Sequence, residues 1–243
     1  FIIVLSTLIT FDKLKNFTLK FILTLFLTLL IAFFLIIQPD LGQTLLVGFT
    51  WMILIFISGV NLVFLLTISV LGLSLLIYFT FYVPKFEYIK NRILSFFNSE
   101  SGTHNFQSDK ATDSIISGGF FGKGIGEGTL KNRVPEAHTD YIVSVISEEF
   151  GVIVIILILI LFLVFIFSIF KKVNIENDHK TKLILVGSAS LILLQAMIHV
   201  GVNIRLFPTT GMTLPFISYG GSSIISVSIL SGIILNLTKR KIS

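Results

Sequence analysis

Asp140, Glu148 and Glu149 are the residues of this chain that packing explains least. They stand in Pro135-Glu136-Ala137-His138-Thr139-Asp140-Tyr141 and in Glu148-Glu149, where a very hydrophobic run begins in a chain that is 54% hydrophobic. Charged groups kept beside a membrane segment mark a working surface. A carboxylate there can act as a general base or form part of a proton path. On a helix entering that run, Asp140, Ser144, Ser147, Glu148 and Gly151 recur at i+4 and i+3 spacing, giving one small, polar stripe. Such a stripe lines a water-filled cavity or a lipid-headgroup site. Plainer readings stay open: Glu148 and Glu149 reaching into interfacial water, and Asp140 capping a helix start.

Other polar groups are candidates beside them. Gly118, Gly119, Gly122, Gly124, Gly126 and Gly128 suggest a phosphate loop, but the spacing fails. Gly122-Lys123 lacks the upstream glycine of a Walker loop, and Glu127 takes the last place of G-x-G-x-x-G. Two readings remain, a tight turn at a membrane surface or backbone N–H groups with Lys123, Lys131 and Arg133 facing an anionic headgroup. Gln38-Pro39-Asp40-Leu41-Gly42-Gln43 is a turn that adds Gln38 and Asp40 to the same side. Asn203 to Ser223 mixes Arg205, prolines, glycines and Ser218. His104, His138, His179 and His199 show no metal spacing, and His199 reads as a packing residue.

The elements that must position these groups are membrane helices. Mean hydropathy is +0.97, with 25 Phe and only 13% charged residues, which excludes an ordinary soluble domain. Runs of spanning length cover 17–37, 41–59, 62–83, 150–170 (with a helical prelude from 141), 183–204 and 215–237. Residues 1–10 look like the tail of a further span, and the opening Phe suggests a fragment cut inside a helix. Hydrophobic residues on every face require helices, since lipid leaves unpaired backbone unsatisfied. A barrel would need alternation. The expected fold is an all-α, polytopic transmembrane bundle, with 1–243 as one membrane domain. Residues 215–223 predict broken or kinked helix.

Lys13, Lys15 and Lys20, then Lys171, Lys172, Lys180 and Lys182, then Lys239, Arg240 and Lys241 fall on one side, which the positive-inside rule makes cytoplasmic. The 84–140 connection then faces outward. Its aromatic and aliphatic residues argue against disorder and predict short interfacial helices, one near 85–97. The absence of cysteine removes thiolate and disulfide chemistry. The charge of +5 fits membrane topology and implies no nucleic acid.

Four separated motifs together resemble the SEDS family (shape, elongation, division and sporulation), the bacterial cell-wall polymerases of the RodA and FtsW type. They are Gln38-Pro39-Asp40-Leu41-Gly42; Gln107 with Ser117-Gly118-Gly119-Phe120-Phe121-Gly122-Lys123-Gly124; the Pro135–Tyr141 and Glu148-Glu149-Phe150-Gly151 pair; and Pro208-Thr209-Thr210-Gly211 with Leu214-Pro215-Phe216-Ile217-Ser218-Tyr219-Gly220-Gly221-Ser222-Ser223. Gly126 to Lys131 and Gly211 to Pro215 look more like the division branch, FtsW. Tyr141, Val134 and Arg205-Leu206-Phe207 are mild departures from the family pattern.

The resemblance implies ten helices, both ends cytoplasmic, and one large outer loop carrying the active site. It implies that the first three helices and most of the fourth lie before this sequence. It implies polymerisation of lipid II into glycan strands at the septum, in the bacterial inner membrane. The implied partners are a class B penicillin-binding transpeptidase and other division proteins. The family's essential aspartate falls on Asp140, the expected general base. Lys123, Lys131, Arg133 or a divalent cation (Mg or Mn) would meet the pyrophosphate, with Glu136 an alternative base. His138, Glu148, Glu149, Gln38, Asp40 and Ser218 are expected nearby. Competing functions are a lipid II flippase and a division scaffold.

Overall fold

The computed structural model describes residues 1–12, 14, 16–97 and 103–239. Lys13, Lys15, Arg240 and Lys241 of the charge pattern lie outside them, as does the side chain of His104. Every regular element among the described residues is helical. In order these are α1 (Ile2–Thr10), α2 (Phe17–Ile37), α3 (Leu41–Ile57), α4 (Leu62–Tyr82), a 3-10 turn (Pro84–Phe86), α5 (Glu87–Phe97), α6 (Thr103–Gly118), a second 3-10 turn (Lys131–Arg133), α7 (Ile142–Phe150), α8 (Val152–Ile175), α9 (His179–Asn203) and α10 (Gly221–Thr238).

Five of these, α2, α4, α8, α9 and α10, are long and apolar enough to cross a membrane, and α3 is a shorter apolar helix. They are the six expected runs, and the chain is an all-α, multi-pass membrane protein. The predicted polar connection holds α5, at the expected place, and α6. Threonine hydroxyls inside the spans donate to carbonyls one turn back, as Thr28 does to Thr24 at 2.8 Å and Thr50 to Leu46 at 2.7 Å. No hydroxyl in these pairs is left to face hydrocarbon unpaired.

Two expectations need correcting. The prelude from 141 and the run at 150–170 are not one helix. Gly151 stands between α7 and α8 at φ +82°, and a Cβ there would lie 2.1 Å from the Phe120 carbonyl oxygen. Only glycine fits that conformation and that contact. The stripe from Asp140 to Gly151 therefore does not run along one helix: Asp140 precedes α7, Gly151 ends it, and Ser144, Ser147 and Glu148 between them are buried. The last span begins at Gly221 rather than Pro215, because 215–220 forms turns, in keeping with the break expected there.

The chain divides into two compact units. The first comprises Phe1–Glu87, Phe167–Ile192 and Ile229–Ser243. Its core gathers Leu5, Ile9, Trp51, Leu54, Ile55, Leu65 and Leu183, with Phe21 tilted against Trp51 at 5.5 Å. Gly187 lets Ile2 and Leu54 approach within 2.9 Å of where its Cβ would be, the small-residue packing that brings membrane helices close. By contrast α4 exposes most of its length, with 6% of its apolar window buried against 61% for α9. Its Leu and Phe side chains suit hydrocarbon, not a protein core.

The second unit comprises Tyr88–Ile166 and Leu193–Ser228. Here α6 lies along α7, and at Gly118 a Cβ would sit 2.0 Å from the Ser147 carbonyl oxygen. A small core of Ala111, Val134, Tyr141 and Val202 fixes the turn that carries Asp140.

Candidate active site

The turn 135–141 is built around one strained residue. Glu136 adopts φ +54°, and its carbonyl accepts the N–H groups of Thr139, Asp140 and Tyr141 at 3.1, 3.1 and 3.2 Å. Left-handed backbone in a non-glycine residue persists only where its surroundings fix it. Those surroundings come from the far end of the unit. Tyr219 N–H donates to the His138 carbonyl at 2.9 Å, the Ser218 hydroxyl to that of Thr139 at 2.7 Å, and Asn203 Nδ2 to that of Asp140 at 2.9 Å. Three consecutive carbonyls are thus clamped. Ser218 also accepts Leu214 N–H at 2.8 Å, so its single buried hydroxyl ties two segments together.

Held this way, the half-buried Asp140 lines a cavity of about 90 Å³ with Arg92, Gln107, Tyr141, Thr210 and Gly211 among its walls. That volume suits about three waters, or the edge of a sugar ring. The Tyr141 phenol is pushed up by burial first and by the Asp140 charge second, with the Arg92 charge opposing. It stays protonated.

The glycine-rich segment turns tightly, as one of its two readings expects, with Gly119, Gly122, Gly124 and Gly126 at positive φ. Its N–H groups face the protein's own acids. Lys123 and Gly124 donate to the carbonyls of Glu148 and Glu149 at 2.9 and 3.0 Å. Glu148, fully buried, accepts Leu130 N–H at 2.9 Å, Lys131 N–H at 2.6 Å and the Ser114 hydroxyl at 2.9 Å. Lys123 Nζ stands 3.8 Å from it. Glu149 accepts Gly126 N–H at 3.1 Å and pairs with the Lys131 ammonium. Burial pushes Glu148 up, but the two backbone donors, Ser114 and Lys123 outweigh it and hold its carboxyl below the ordinary range. The hydrogen bond from Lys131 holds Glu149 down as well. The segment is an anion cradle whose anions are built in.

The predicted residues therefore separate into groups. Asp140, the backbone of His138 and the Ser218 hydroxyl meet at the turn. Lys123, Lys131, Glu148 and Glu149 meet in the cradle. Arg133, Glu136 and His138 are exposed, with the Glu136 carboxylate accepting from Thr139 Oγ1 at 2.9 Å. Gln38 and Asp40 belong to the first unit, where Gln38 is exposed and Asp40 caps α3 through Gln43 N–H at 2.9 Å. His199 packs as expected, with Nδ1 2.6 Å from the Met212 carbonyl oxygen. Arg92, absent from the predicted set, lines the cavity; its place on an amphipathic helix before the motifs gave no pairing signal. Among the described residues no three His, Asp or Glu side chains converge. A divalent cation at the cavity would thus draw on one carboxylate and on oxygens of a substrate.

Comparison with known proteins agrees with this architecture. A family model described as "Cell cycle protein", for FtsW, RodA and SpoVE, matches residues 1–242. A probable peptidoglycan glycosyltransferase FtsW of Caulobacter vibrioides is 34% identical over 210 residues, 85% of this chain and 52% of that protein. Its counterpart in Geobacter metallireducens is 35% identical over 232 residues, 94% of this chain and 61% of that protein. A chain of a solved peptidoglycan synthase complex, described as coordinating polymerisation and crosslinking, superposes with a TM-score of 0.77 at 25% identity over 98% of this chain and 67% of its own. An aspartate-to-alanine mutant of the Thermus thermophilus rod shape determining protein RodA gives 0.63 at 26% identity, covering 98% of this chain and 62% of its own. The chain thus spans a little over half the length of the curated relatives it matches. With helices, motif order and family model in agreement along nearly its whole length, the chain belongs to the FtsW, RodA and SpoVE family of cell cycle proteins.

Proposed function

We propose that this chain carries the active site of a peptidoglycan glycosyltransferase that polymerises lipid II during septal wall synthesis. The observation that carries the reading is Asp140, held by the three-carbonyl clamp at the wall of a cavity it shares with Arg92 and Gln107. Asp140 takes the proton of the 4-hydroxyl on the acceptor GlcNAc. That oxygen attacks the anomeric carbon of the donor MurNAc, and the bond to the lipid pyrophosphate breaks with inversion. The proton ends on Asp140 and the electron pair on the departing pyrophosphate. Both relatives above bear the name of this activity.

The same reading puts the site on the outer face of the inner membrane. Its partners are then a class B penicillin-binding transpeptidase and other division proteins. A neighbour solved within a synthase complex supports the association with a transpeptidase. A flippase using Asp140, Glu148 and Glu149 as a proton or headgroup path is weaker, because both glutamates are committed to the cradle. The test is lipid II polymerisation by the purified full-length protein with its transpeptidase. Asp140→Asn abolishes strand synthesis; undiminished synthesis would overturn the assignment.

A further inference from the structure

The reaction just proposed needs a cation for the departing pyrophosphate, and charge pairing within the second unit narrows the choice. Lys123 faces Glu148, Lys131 faces Glu149, Lys110 faces Asp113 and Arg205 pairs with Asp109. Arg133 is exposed, and neither it nor the half-buried Lys90 lines the cavity. Arg92 does line it, together with Asp140.

Three polar atoms of residues that line this cavity are buried and have no hydrogen-bond partner among the described residues: Arg92 Nη1, the Tyr141 hydroxyl and Thr210 Oγ1. Tyr141 is only 2% exposed. Each such atom forfeits a hydrogen bond that water would otherwise give it, and three around one cavity form a built set of donors. A guanidinium beside two hydroxyls matches phosphate oxygens, which accept several bonds at once and favour a planar, charged donor. Asp140 lines the same cavity, and inversion requires it and this donor set to act on opposite sides of the anomeric carbon.

We infer that Arg92, Tyr141 and Thr210 form the subsite for a pyrophosphate oxygen of the lipid-linked donor, a role that rests on the glycosyltransferase reading. Arg92 meets the charge that develops as the glycosidic bond to pyrophosphate breaks, while the two hydroxyls fix its orientation.

The experiment measures binding of undecaprenyl pyrophosphate and, in a parallel arm, inorganic pyrophosphate to the full-length protein in nanodiscs, beside lipid II polymerisation. Arg92→Ala weakens lipid pyrophosphate binding by about 10- to 100-fold, the size of a lost charge-assisted bond, and Arg92→Lys restores part of it. Tyr141→Phe and Thr210→Val weaken it by about 5-fold each; they decide the matter should Arg92→Ala fail to fold. Asp140→Asn keeps binding while losing turnover. Binding within 2-fold of wild type in Arg92→Ala, or in both hydroxyl variants, overturns the subsite and leaves the polymerase reading intact. A wild-type protein that binds the lipid but makes no polymer has the opposite meaning: the subsite stands and the polymerase reading falls. Equal tightness for inorganic pyrophosphate shows a free-anion site instead of a lipid one and overturns the donor assignment.

Discussion

The Ser218 hydroxyl donates to the Thr139 carbonyl at 2.7 Å, joining residues 79 positions apart. The same oxygen accepts Leu214 N–H. One buried atom therefore sets the backbone immediately before Asp140 and the turn before α10.

Ser218→Ala leaves a buried carbonyl and a buried N–H without this partner, a cost of about 1–3 kcal/mol. Thermal unfolding of the detergent-purified protein reads it. The turnover rate falls more than KM rises, because the base is displaced while the cavity remains. Ser218→Thr recovers most of the rate. A normal rate in Ser218→Ala would show that the clamp does not position Asp140.

Lys123 pairs with a buried glutamate yet is itself well exposed, at 39% of its side chain. Lys123→Met should lower stability by about 1 kcal/mol or less and change the KM for lipid II less than 2-fold. A 10-fold rise in KM would give the lysine a substrate contact.

Glu148→Gln presents an amide where the two backbone N–H donors of Leu130 and Lys131 converge, so one donor meets another. The expected loss is about 3 kcal/mol, seen as a lower unfolding temperature. Glu148→Ala should fare no better, since it leaves Lys123 and both N–H groups unanswered.

Acid sensitivity follows from the same pair. The folded carboxyls of Glu148 and Glu149 lie below the ordinary value of 4.5. Their contribution is complete above that value and fades as pH falls through the lower folded range. Melting temperature against pH should therefore drop more steeply on the acid side for wild type than for Glu148→Gln. Parallel curves would contradict the cradle's role.

Gly151→Ala places a methyl group against the Phe120 carbonyl at a positive φ. Either the α7–α8 junction or the glycine-rich segment must shift. Membrane-inserted yield should fall sharply, with protease cutting appearing near 119–128.

Much of the membrane architecture was legible because hydrocarbon imposes a length and a composition. Residues 17–37 gave α2 with its bounds intact, and 62–83 gave α4 to within one residue. Gly151 was missed since one glycine in an apolar run costs a helix little, and only the tertiary approach of Phe120 reveals why it ends α7. Asp140 was found from its type and neighbours. Its clamp was not, because backbone carbonyls leave no trace in residue identity. Arg92 was invisible for a related reason: 48 positions before Asp140 in the chain, it comes to line the same cavity only once the chain has folded. The cradle was half legible, its glycines and lysines seen but its anions sought outside the chain.

Because Glu148 and Glu149 already fill the glycine-rich segment, that segment reaches its final shape before any substrate arrives. An encounter with lipid then demands no ordering entropy from residues 122–131. The unliganded and liganded proteins should show the same amide exchange there, leaving slow exchange gained on binding to report the cavity alone.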